Sequence, residues 1–427
     1  MTSYTHTLHR LSRFAGLSLS MLALGFSANA SAASTAYIEL LQQVEQQQPE
    51  KITVAGIQAV QAANQSLSKS WIAGDITLKL HHETDRFTGS QETQVWAAGA
   101  EFPVWLPSHK EALAGLSSSY QQQFTAQSSY LTWLASGKLR QLAWDYKKAT
   151  IKVIAAQKAV EQSLALQDKV QKKVKFGESA RLDLLLSQKT VLKQQALLAQ
   201  AQGALNVIQN QYHQWTQSSI LPDSIEEVQL QAVALENHPQ LLWLQSNTDI
   251  SQAKLQQEKA FKSASPVIYV GAQHDKNLVI DNTSLVFSVS IPLGLKSSNR
   301  VQIAEQQQAV LAQKVQLTTA LFELKQGVIT AQQRIDLQQQ NLHFAKQQND
   351  LDQKALALAE QAYQLGASTI QDLLLIQQQA MESHLNLELA HADLGQSIAQ
   401  YNQIMGYSLT NNVPQKFNPI SASAGAR

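Results

Sequence analysis

A two-fold internal repeat constrains this chain of 427 residues more than any other feature of its sequence. Residues 175–188 read KFGESARLDLLLSQ, and residues 364–377 read QLGASTIQDLLLIQ. The glycine and the aspartate of the two segments lie at one offset of 189 residues (366 − 177 and 372 − 183), which pairs Gly177 with Gly366 and Asp183 with Asp372. Each segment reads as a helix ended by a left-handed glycine, a polar bend and a second helix. The second helix is predicted to be capped by the serine two residues after the glycine, Ser179 or Ser368.

The same offset continues far from the two bends, where it aligns Pro103 with Pro292. No proline lies between Pro107 and Pro222 or between Pro292 and Pro414, so both stretches can form very long helices. A helix over residues 110–176 would be roughly 100 Å long. Apolar residues in both stretches recur at coiled-coil spacing: Leu139, Leu142, Tyr146, Ala149, Val153, Ala156 and Val160 in the first, and Ala304, Leu311, Val315, Phe322, Ile329, Leu351, Ala355, Leu358, Ala362 and Leu365 in the second.

Two strand hairpins, at residues 71–103 and 267–292, precede the long helices. Residues on one face of each hairpin are apolar: Trp96, Ala98, Ala100 and Phe102 in the first, and Leu285, Phe287, Val289 and Ile291 in the second. The turn of the second hairpin is predicted at Asp281 and Asn282. Such hairpins could pack on a soluble core, but strands of about ten residues with one apolar face are also typical of outer-membrane barrels. Four strands cannot close a barrel, so several subunits would have to share one.

The repeat divides the chain into successive segments. Residues 1–32 are expected to be a cleaved export signal, because Arg10 and Arg13 precede an apolar run and small residues offer cleavage after Ala30 or Ala32. A short membrane anchor is the alternative for that segment. The remaining segments are a first repeat over residues 33–216 with its bend at 177–183, a linker over 217–239, a second repeat over 240–409 with its bend at 366–372, and an irregular tail over 410–427.

Composition and motifs exclude most catalytic and nucleic-acid functions. The formal charge is +1 with no basic cluster, which gives no reason to expect nucleic acid as a partner. The chain has no cysteine, so it can form neither disulfides nor thiolate metal sites. No phosphate loop, nucleophile elbow or HExxH pair is present, and the neighbouring His81 and His82 point to opposite faces of a strand. We therefore expect no enzyme activity, catalytic residues, metal site or cofactor.

The arrangement resembles the TolC-like outer-membrane efflux protein family over about residues 36–407. The resemblance is carried by the paired Gly-x-x-x-x-x-Asp-Leu bends, the IPLG sequence at residues 291–294 and the closing YNQIMGYSL at residues 401–409. It implies a mainly α fold with a transmembrane β-hairpin pair in each subunit. Three identical subunits would then form a 12-stranded β-barrel in outer-membrane lipid, continuous with a 12-helix α-barrel in the periplasm. It further implies two partners, a periplasmic adaptor (membrane fusion) protein and an inner-membrane pump.

By the same resemblance, the two bends lie at the periplasmic tip, where adaptors dock and the entrance closes. The implied tip residues are Gly177, Ser179, Asp183, Tyr363, Gly366, Ser368 and Asp372. One family branch has an arginine where this chain has Ser368 and a second aspartate where this chain has Leu375, so its gating contacts cannot be transferred. The two aspartates can be ordinary first-turn acids that the helix dipole favours, or they can form carboxylate rings that favour cations at a narrow opening.

Two functions follow from these observations. The preferred one is a passive outer-membrane exit channel of a tripartite efflux or secretion system, and the implied location is the outer membrane of a Gram-negative cell. It would conduct small toxic solutes, drugs or metal ions, and the sequence does not choose among them. The alternative is a soluble periplasmic coiled-coil adaptor or scaffold. A channel leaves Trp96, Phe102, Leu285 and Phe287 facing lipid, whereas an adaptor buries them in its own core.

Overall fold

The computed structural model describes residues 37, 39–87, 89, 92–261, 264–293 and 299–409. The predicted export signal and the predicted tail at 410–427 lie outside the described residues, as does Gly294 of the IPLG sequence. The long elements of the described chain, in order, are α1 (Lys51–Lys69), β1 (Thr77–Thr84), β2 (Gln94–Pro103), α2 (Pro107–Lys175), α3 (Arg181–Thr216), α4 (Pro239–Ala260), β3 (Val267–Lys276), β4 (Asp281–Ser290), α5 (Arg300–Gln364) and α6 (Ile370–Ile404).

Two very long helices dominate the fold. Helix α2 has 69 residues and α5 has 65, so each is about 100 Å long at 1.5 Å per residue. Helix α2 begins with Pro107, whose missing N–H would have no partner at a helix start. A helical stretch at residues 39–47 ends just before Pro49, and α1 follows it. None of the helices in the described part of the chain carries an apolar run long enough to cross a bilayer.

The four strands form one antiparallel sheet in chain order, β1-β2-β3-β4. Pairing of β2 with β3 joins the two hairpins, with Gly99 opposite Gly271 at its centre. The predicted turn at Asp281 and Asn282 is wrong, because both residues lie in β4. The turn is at residues 277–280, where the Asn277 side-chain oxygen accepts the N–H groups of Val279 at 2.8 Å and Ile280 at 2.7 Å. This local bond fixes the turn four residues earlier than expected.

The helices pack as two antiparallel hairpins, α2 with α3 and α5 with α6, joined along a seam between α2 and α6. Helices α1 and α4 continue this packing toward the sheet, α1 on α2, and α4 on both α2 and α5. The predicted coiled-coil stripe of α2 is mainly internal, with Leu139 and Leu142 buried in a cluster with Tyr212. The matching stripe of α5 is exposed, with Leu311 at 62% and Phe322 at 69% of full exposure.

Candidate functional site

The two predicted bends have the same backbone geometry. Gly177 has φ of 77° and Gly366 has φ of 73°, which confirms that both adopt the left-handed conformation. In the first bend, the N–H of Gly177 bonds the carbonyl of Val174 at 3.1 Å, and the N–H of Glu178 bonds that of Lys173 at 2.9 Å. The second bend repeats this pair of bonds at Gly366 and Ala367. Both long helices therefore end in a Schellman motif, which satisfies their last carbonyls.

The serines that follow the glycines do not cap the next helices, so that prediction is wrong. The helices begin one residue later than expected, and their N-cap residues are Ala180 and Thr369. Thr369 Oγ1 accepts the N–H of Asp372 at 3.2 Å. Ala180 has no side-chain acceptor, and Ser179 instead donates to Asp183 Oδ2 at 2.6 Å.

Both aspartates reach back to the start of their own helix. Asp183 Oδ2 accepts the Ala180 N–H at 3.2 Å, and Asp372 Oδ2 accepts the Thr369 N–H at 3.2 Å and the Thr369 hydroxyl at 2.7 Å. The Thr369 hydroxyl and N–H lower the pKa of Asp372 below its ordinary value. Asp372 is thus ionised at neutral pH. Each aspartate uses one oxygen to satisfy the start of its helix, as in a capping box.

Tyr363 lies inside the protein near the second bend and not on its surface. The side chain is 9% exposed and packs with Leu166, Val170 and Leu373. Its hydroxyl is buried without a hydrogen-bond partner in the described chain, as is the Ser368 hydroxyl. Lys173, which sequence reasoning missed, lies with Nζ 4.6 Å from the centre of the Tyr363 ring and donates to the Tyr363 carbonyl at 3.3 Å.

Lys173 joins the two helical hairpins at their bends, since it extends from α2 to α5. The contact combines a cation–π interaction with a hydrogen bond. One signal in the sequence pointed to this region, because α2 carries Lys172, Lys173 and Lys175 in its last turn while α5 has no basic residue there. Basic residues in a last turn are favoured by the helix dipole, so the signal did not single out one lysine.

The sheet has one apolar and one polar face. Directly paired residues point to the same face, so the register assembles the apolar one: Leu78 and Leu80 of β1, Trp96, Ala98, Ala100 and Phe102 of β2, Ile268, Val270 and Ala272 of β3, and Leu285, Phe287 and Val289 of β4. The opposite face carries Thr77, Lys79, Glu101, Gln273, Ser284 and Ser288, with an ion pair between Lys79 and Glu101. This alternation places one water-compatible and one lipid-compatible surface on the same sheet.

The apolar face is open to its surroundings. Leu285 is 89% exposed, Phe287 72% and Trp96 57%. Aromatic residues lie toward both ends of β2, with Trp96 stacked on His82 near the hairpin loops and Phe102 stacked on Trp71 near the helices. Ile291, the last residue predicted for this face, follows the end of β4 and is also exposed.

A buried polar network holds the linker and the closing segment against α2. Arg140, 5% exposed, donates to both Glu227 oxygens at 2.7 and 2.8 Å and to the Tyr407 carbonyl at 2.8 Å. Asn402 bonds the linker backbone on both sides, at the Val228 carbonyl and the Leu230 N–H. The predicted linker and the closing YNQIMGYSL sequence are thus held together by one hydrogen-bond network.

The histidine that begins α4 belongs to the same region. His238 Nδ1 accepts the N–H of Gln240 at 3.1 Å and so caps the helix. The ring is almost fully buried and lies edge-on to Trp133, with centroids 4.9 Å apart. Burial lowers the pKa of His238 to about 4, so the ring is neutral at physiological pH and keeps the lone pair that the cap requires.

Solved outer-membrane channels share this fold over about nine-tenths of the chain. The outer-membrane channel OprN aligns with a TM-score of 0.68 and 13% sequence identity, covering 91% of this chain and 93% of its own. The CmeC outer-membrane channel of Campylobacter jejuni aligns with a TM-score of 0.67 and 10% identity, covering 90% of this chain and 87% of its own. The chain has the TolC-like outer-membrane channel fold. The open state of the MtrE outer-membrane channel of Neisseria gonorrhoeae gives a TM-score of 0.62 and 13% identity, with 90% of both chains covered.

The TolC-like fold confirms the resemblance carried by the paired bends and the closing segment. No protein-family model matches the sequence, and no curated protein matches it. Low identity together with coverage of nine-tenths of the chain shows that this fold tolerates wide changes of side chain. The function is accordingly argued below from the surfaces of this chain.

Proposed function

We propose that the protein is a passive outer-membrane exit channel of a tripartite efflux or secretion system. It lies in the outer membrane, extends into the periplasm, and conducts small toxic solutes, drugs or metal ions from an inner-membrane pump through a periplasmic adaptor. The exposed apolar face of the sheet carries the proposal. Strands of ten residues are long enough to cross a bilayer. Their apolar face suits contact with lipid, and their polar face suits the water-filled interior of a barrel.

The same face argues against a soluble adaptor or scaffold. Such a protein would bury these apolar residues against its own helices. In the described chain the strands make extensive contacts only with one another, and Leu80, Leu285 and Phe287 are all more than two-thirds exposed. A soluble monomer rarely exposes so large an apolar patch. Lipid is the environment that such a surface requires.

The open edges of the sheet support assembly of several copies, for which we propose a trimer. Strands β1 and β4 each pair on one side only, and unpaired edges inside a membrane leave backbone groups without hydrogen bonds. Closing the edges requires strands from further copies of the chain. Three copies supply twelve strands, which close one barrel without a free edge.

Exposure along α5 identifies a surface for the neighbouring copy. Helix α2 buries twenty of its residues, whereas α5, nearly as long, buries six. Exposed apolar residues along α5 and at its C-cap fall in two runs of heptad spacing that are one residue out of register. Each is more than half exposed: Leu311, Val315, Phe322 and Ile329 in the first run, and Phe344, Leu351, Leu358 and the C-cap residue Leu365 in the second. Helix α3 carries the complementary exposed residues Leu182, Leu185, Leu192 and Val207. We infer that α5 of one copy packs on α3 of the next, which closes a ring of helices.

The two bends are the proposed tip, where the adaptor binds and the entrance closes. This assignment covers Gly177, Ser179, Asp183, Tyr363, Gly366, Ser368 and Asp372, and it is supported by their place at the far ends of both helical hairpins. Three-fold assembly would repeat each aspartate as a ring. Such a ring favours cations. Asp372→Asn should reduce cation selectivity, whereas Thr369→Val, which disturbs the same helix start and keeps the charge, should not.

Single-channel recording on the detergent-extracted protein, together with its oligomer mass, tests the proposed function. We expect a trimer that requires detergent and forms a small, mostly closed pore that prefers cations. A species that is soluble without detergent and shows no conductance would refute the channel and favour the adaptor.

A pair of substitutions tests the inferred α5 surface separately. Phe322→Gln combined with Phe344→Gln should reduce the fraction of trimer, because both rings would lie between copies. Leu278→Gln is the matched control, since Leu278 is as exposed as Phe322, at 69%, but lies in a hairpin turn. Equal loss of trimer in the control and in the double variant would contradict the assigned interface.

A further inference from the structure

One aromatic residue lies on the polar face of the sheet. Among the described strand residues, Tyr269 is the only Phe, Tyr or Trp on that face. It lies three residues into β3, near the end of the sheet that joins the helices. Its direct neighbours on the same face are Glu101 and Ser288. The next level toward the hairpin turns holds Gly99 and Gly271, which pair with each other.

The Tyr269 ring lies over both glycines. A Cβ added at Gly99 would be 2.6 Å from both Cζ and the hydroxyl oxygen of Tyr269. A Cβ at Gly271 would be 2.8 Å from Cζ and closer still to the hydroxyl oxygen. Both distances are too short for any side chain to share the space. Side chains on a strand ordinarily stand roughly perpendicular to the sheet, so the glycines allow this ring to lie along it instead.

The charged side chains next to Tyr269, Lys79 and Glu101, also lie along the sheet. Lys79 lies directly opposite Gly99, and its ammonium group forms an ion pair with Glu101, the neighbour of Tyr269. The long side chains at these two levels are therefore bound to the sheet or to one another. None of the contacts requires them to extend away from it.

We infer that the Gly99 and Gly271 pair forms a recess that keeps Tyr269 flat against the inner wall and thereby sets the free width of the passage. The inference rests on the proposed function, because only a closed barrel has an inner wall. Three copies would place three rings at one level, where the barrel meets the helical conduit. A flat ring adds one contact layer of about 3.5 Å to the wall, whereas a raised ring reaches roughly twice as far from each of three sides.

Shielding of the glycines is the competing explanation of the contact. Glycine inside a strand is destabilising, and an aromatic ring that covers it can restore stability. In that case a side chain at Gly99 would make the ring unnecessary and would leave passage through the barrel unchanged. The two explanations therefore differ in the effect of one substitution on access.

Cysteine reporters can measure access past Tyr269, since the chain contains no cysteine of its own. Ser284→Cys lies on the turn side of Tyr269, and Ser290→Cys lies on the helix side, both on the polar face of β4. Intact cells would be treated from outside with maleimides of increasing size. The largest maleimide that still labels the Ser284→Cys variant is then used to label the Ser290→Cys variant. The ratio of the two labelling rates reports the free width of the barrel between the two cysteines. It does not depend on closure at the helical bends, because the maleimides enter from the opposite end.

Gly99→Val should slow labelling of Ser290→Cys by roughly five-fold and leave Ser284→Cys unchanged, because the raised ring narrows a barrel of this size. A Cβ at residue 99 would also lie 2.6 Å from the Val270 carbonyl oxygen, so Gly99→Val could disturb the backbone as well as the ring. Adding Tyr269→Ala to Gly99→Val distinguishes the two effects, because it should restore the ratio only if the raised ring is the obstruction. Ala97→Val places the same valine side chain one level nearer the turns and should change the ratio little. If Gly99→Val does not accumulate, Gly99→Ala tests the same contact with a single added carbon.

The outcomes distinguish the inference from the proposed function. Absence of labelling at both cysteines from outside the cell would refute the channel itself. Labelling of both cysteines with a ratio that Gly99→Val leaves unchanged would refute the recess and keep the channel. A slowed ratio that Tyr269→Ala does not restore would also refute it, because the obstruction would then come from a part of the wall other than the ring.

Discussion

Replacing Glu227 with glutamine should destabilise the protein strongly, because it leaves the Arg140 charge buried. The Arg140 side chain is 5% exposed and that of Glu227 19%, and the two share a bidentate contact. Breaking a buried pair by removing one partner costs roughly 3–5 kcal/mol. Arg140 keeps its bonds to Gln403 and the Tyr407 carbonyl, and Glu227 is partly hydrated. We therefore expect a loss of about 2–3 kcal/mol in the free energy of unfolding.

Urea unfolding of the detergent-extracted protein, followed by tryptophan fluorescence, measures this loss. Glu226→Gln is the matched control at the adjacent position. Glu226 pairs with Lys147 at the surface, where its side chain is 53% exposed, and exposed pairs contribute at most about 1 kcal/mol. The control should therefore shift the urea midpoint only slightly, while Glu227→Gln should shift it by several times as much.

A double variant tests whether the uncompensated charge is the cause. Arg140→Met combined with Glu227→Met replaces the pair with apolar side chains and should recover much of the stability that Glu227→Gln loses. Equal midpoints for Glu226→Gln and Glu227→Gln would refute the reasoning. The linker would then be held by its apolar contacts, such as buried Ile225, and not by the network.

Three further predictions concern local contacts. Lowering the pH from 6.5 to 4 should reduce the free energy of unfolding by about 3 kcal/mol, because unfolded His238 gains a proton at its ordinary pKa of 6.5 and folded His238 only at about 4. His238→Asn, which can still cap α4, should remove that slope in titrations of stability. Gly366→Ala should cost about 1 kcal/mol in thermal unfolding, whereas Gly115→Ala, inside a helix with open space around it, should be neutral or stabilising. Thr369→Val should cost about 1 kcal/mol in the same assay through loss of the cap.

Local signals in the sequence predicted the local structure well. The left-handed conformation at both bends could be predicted because a glycine stands at the end of each long stretch of regularly spaced apolar residues. Errors arose where two residues close in sequence could serve the same role. Thr369 and Ser368 are both capping residues, and Asn277 and Asn282 both favour turns, so only the folded backbone decides between them.

Contacts between distant segments could not be predicted in this way. Arg140 bonds Glu227 across 87 positions of sequence, and Trp133 donates to the Gln403 carbonyl across 270. The linker and the closing segment were both recognised from the sequence as distinct features. Their common partner, Arg140, was not recognised. The spacing of residues in a coiled-coil stretch does not show whether an arginine is buried in a polar network or exposed to solvent.

The two halves of the repeat show how similar sequence patterns can acquire different roles. Helices α2 and α5 match along their length, yet α2 packs on α1, α3, α4 and α6, whereas in the described chain α5 packs extensively only on α4 and α6. Heptad spacing determines that an apolar stripe exists, but it carries no information about what covers the stripe. On α2 the cover comes from the same chain, and Leu139 is fully buried. On α5 the stripe from Leu311 to Leu358 remains open, and burying each such side chain is worth roughly 1.5–3 kcal/mol. An open seam of that length on a helix of 65 residues is itself the strongest argument that the functional unit contains more than one copy of the chain.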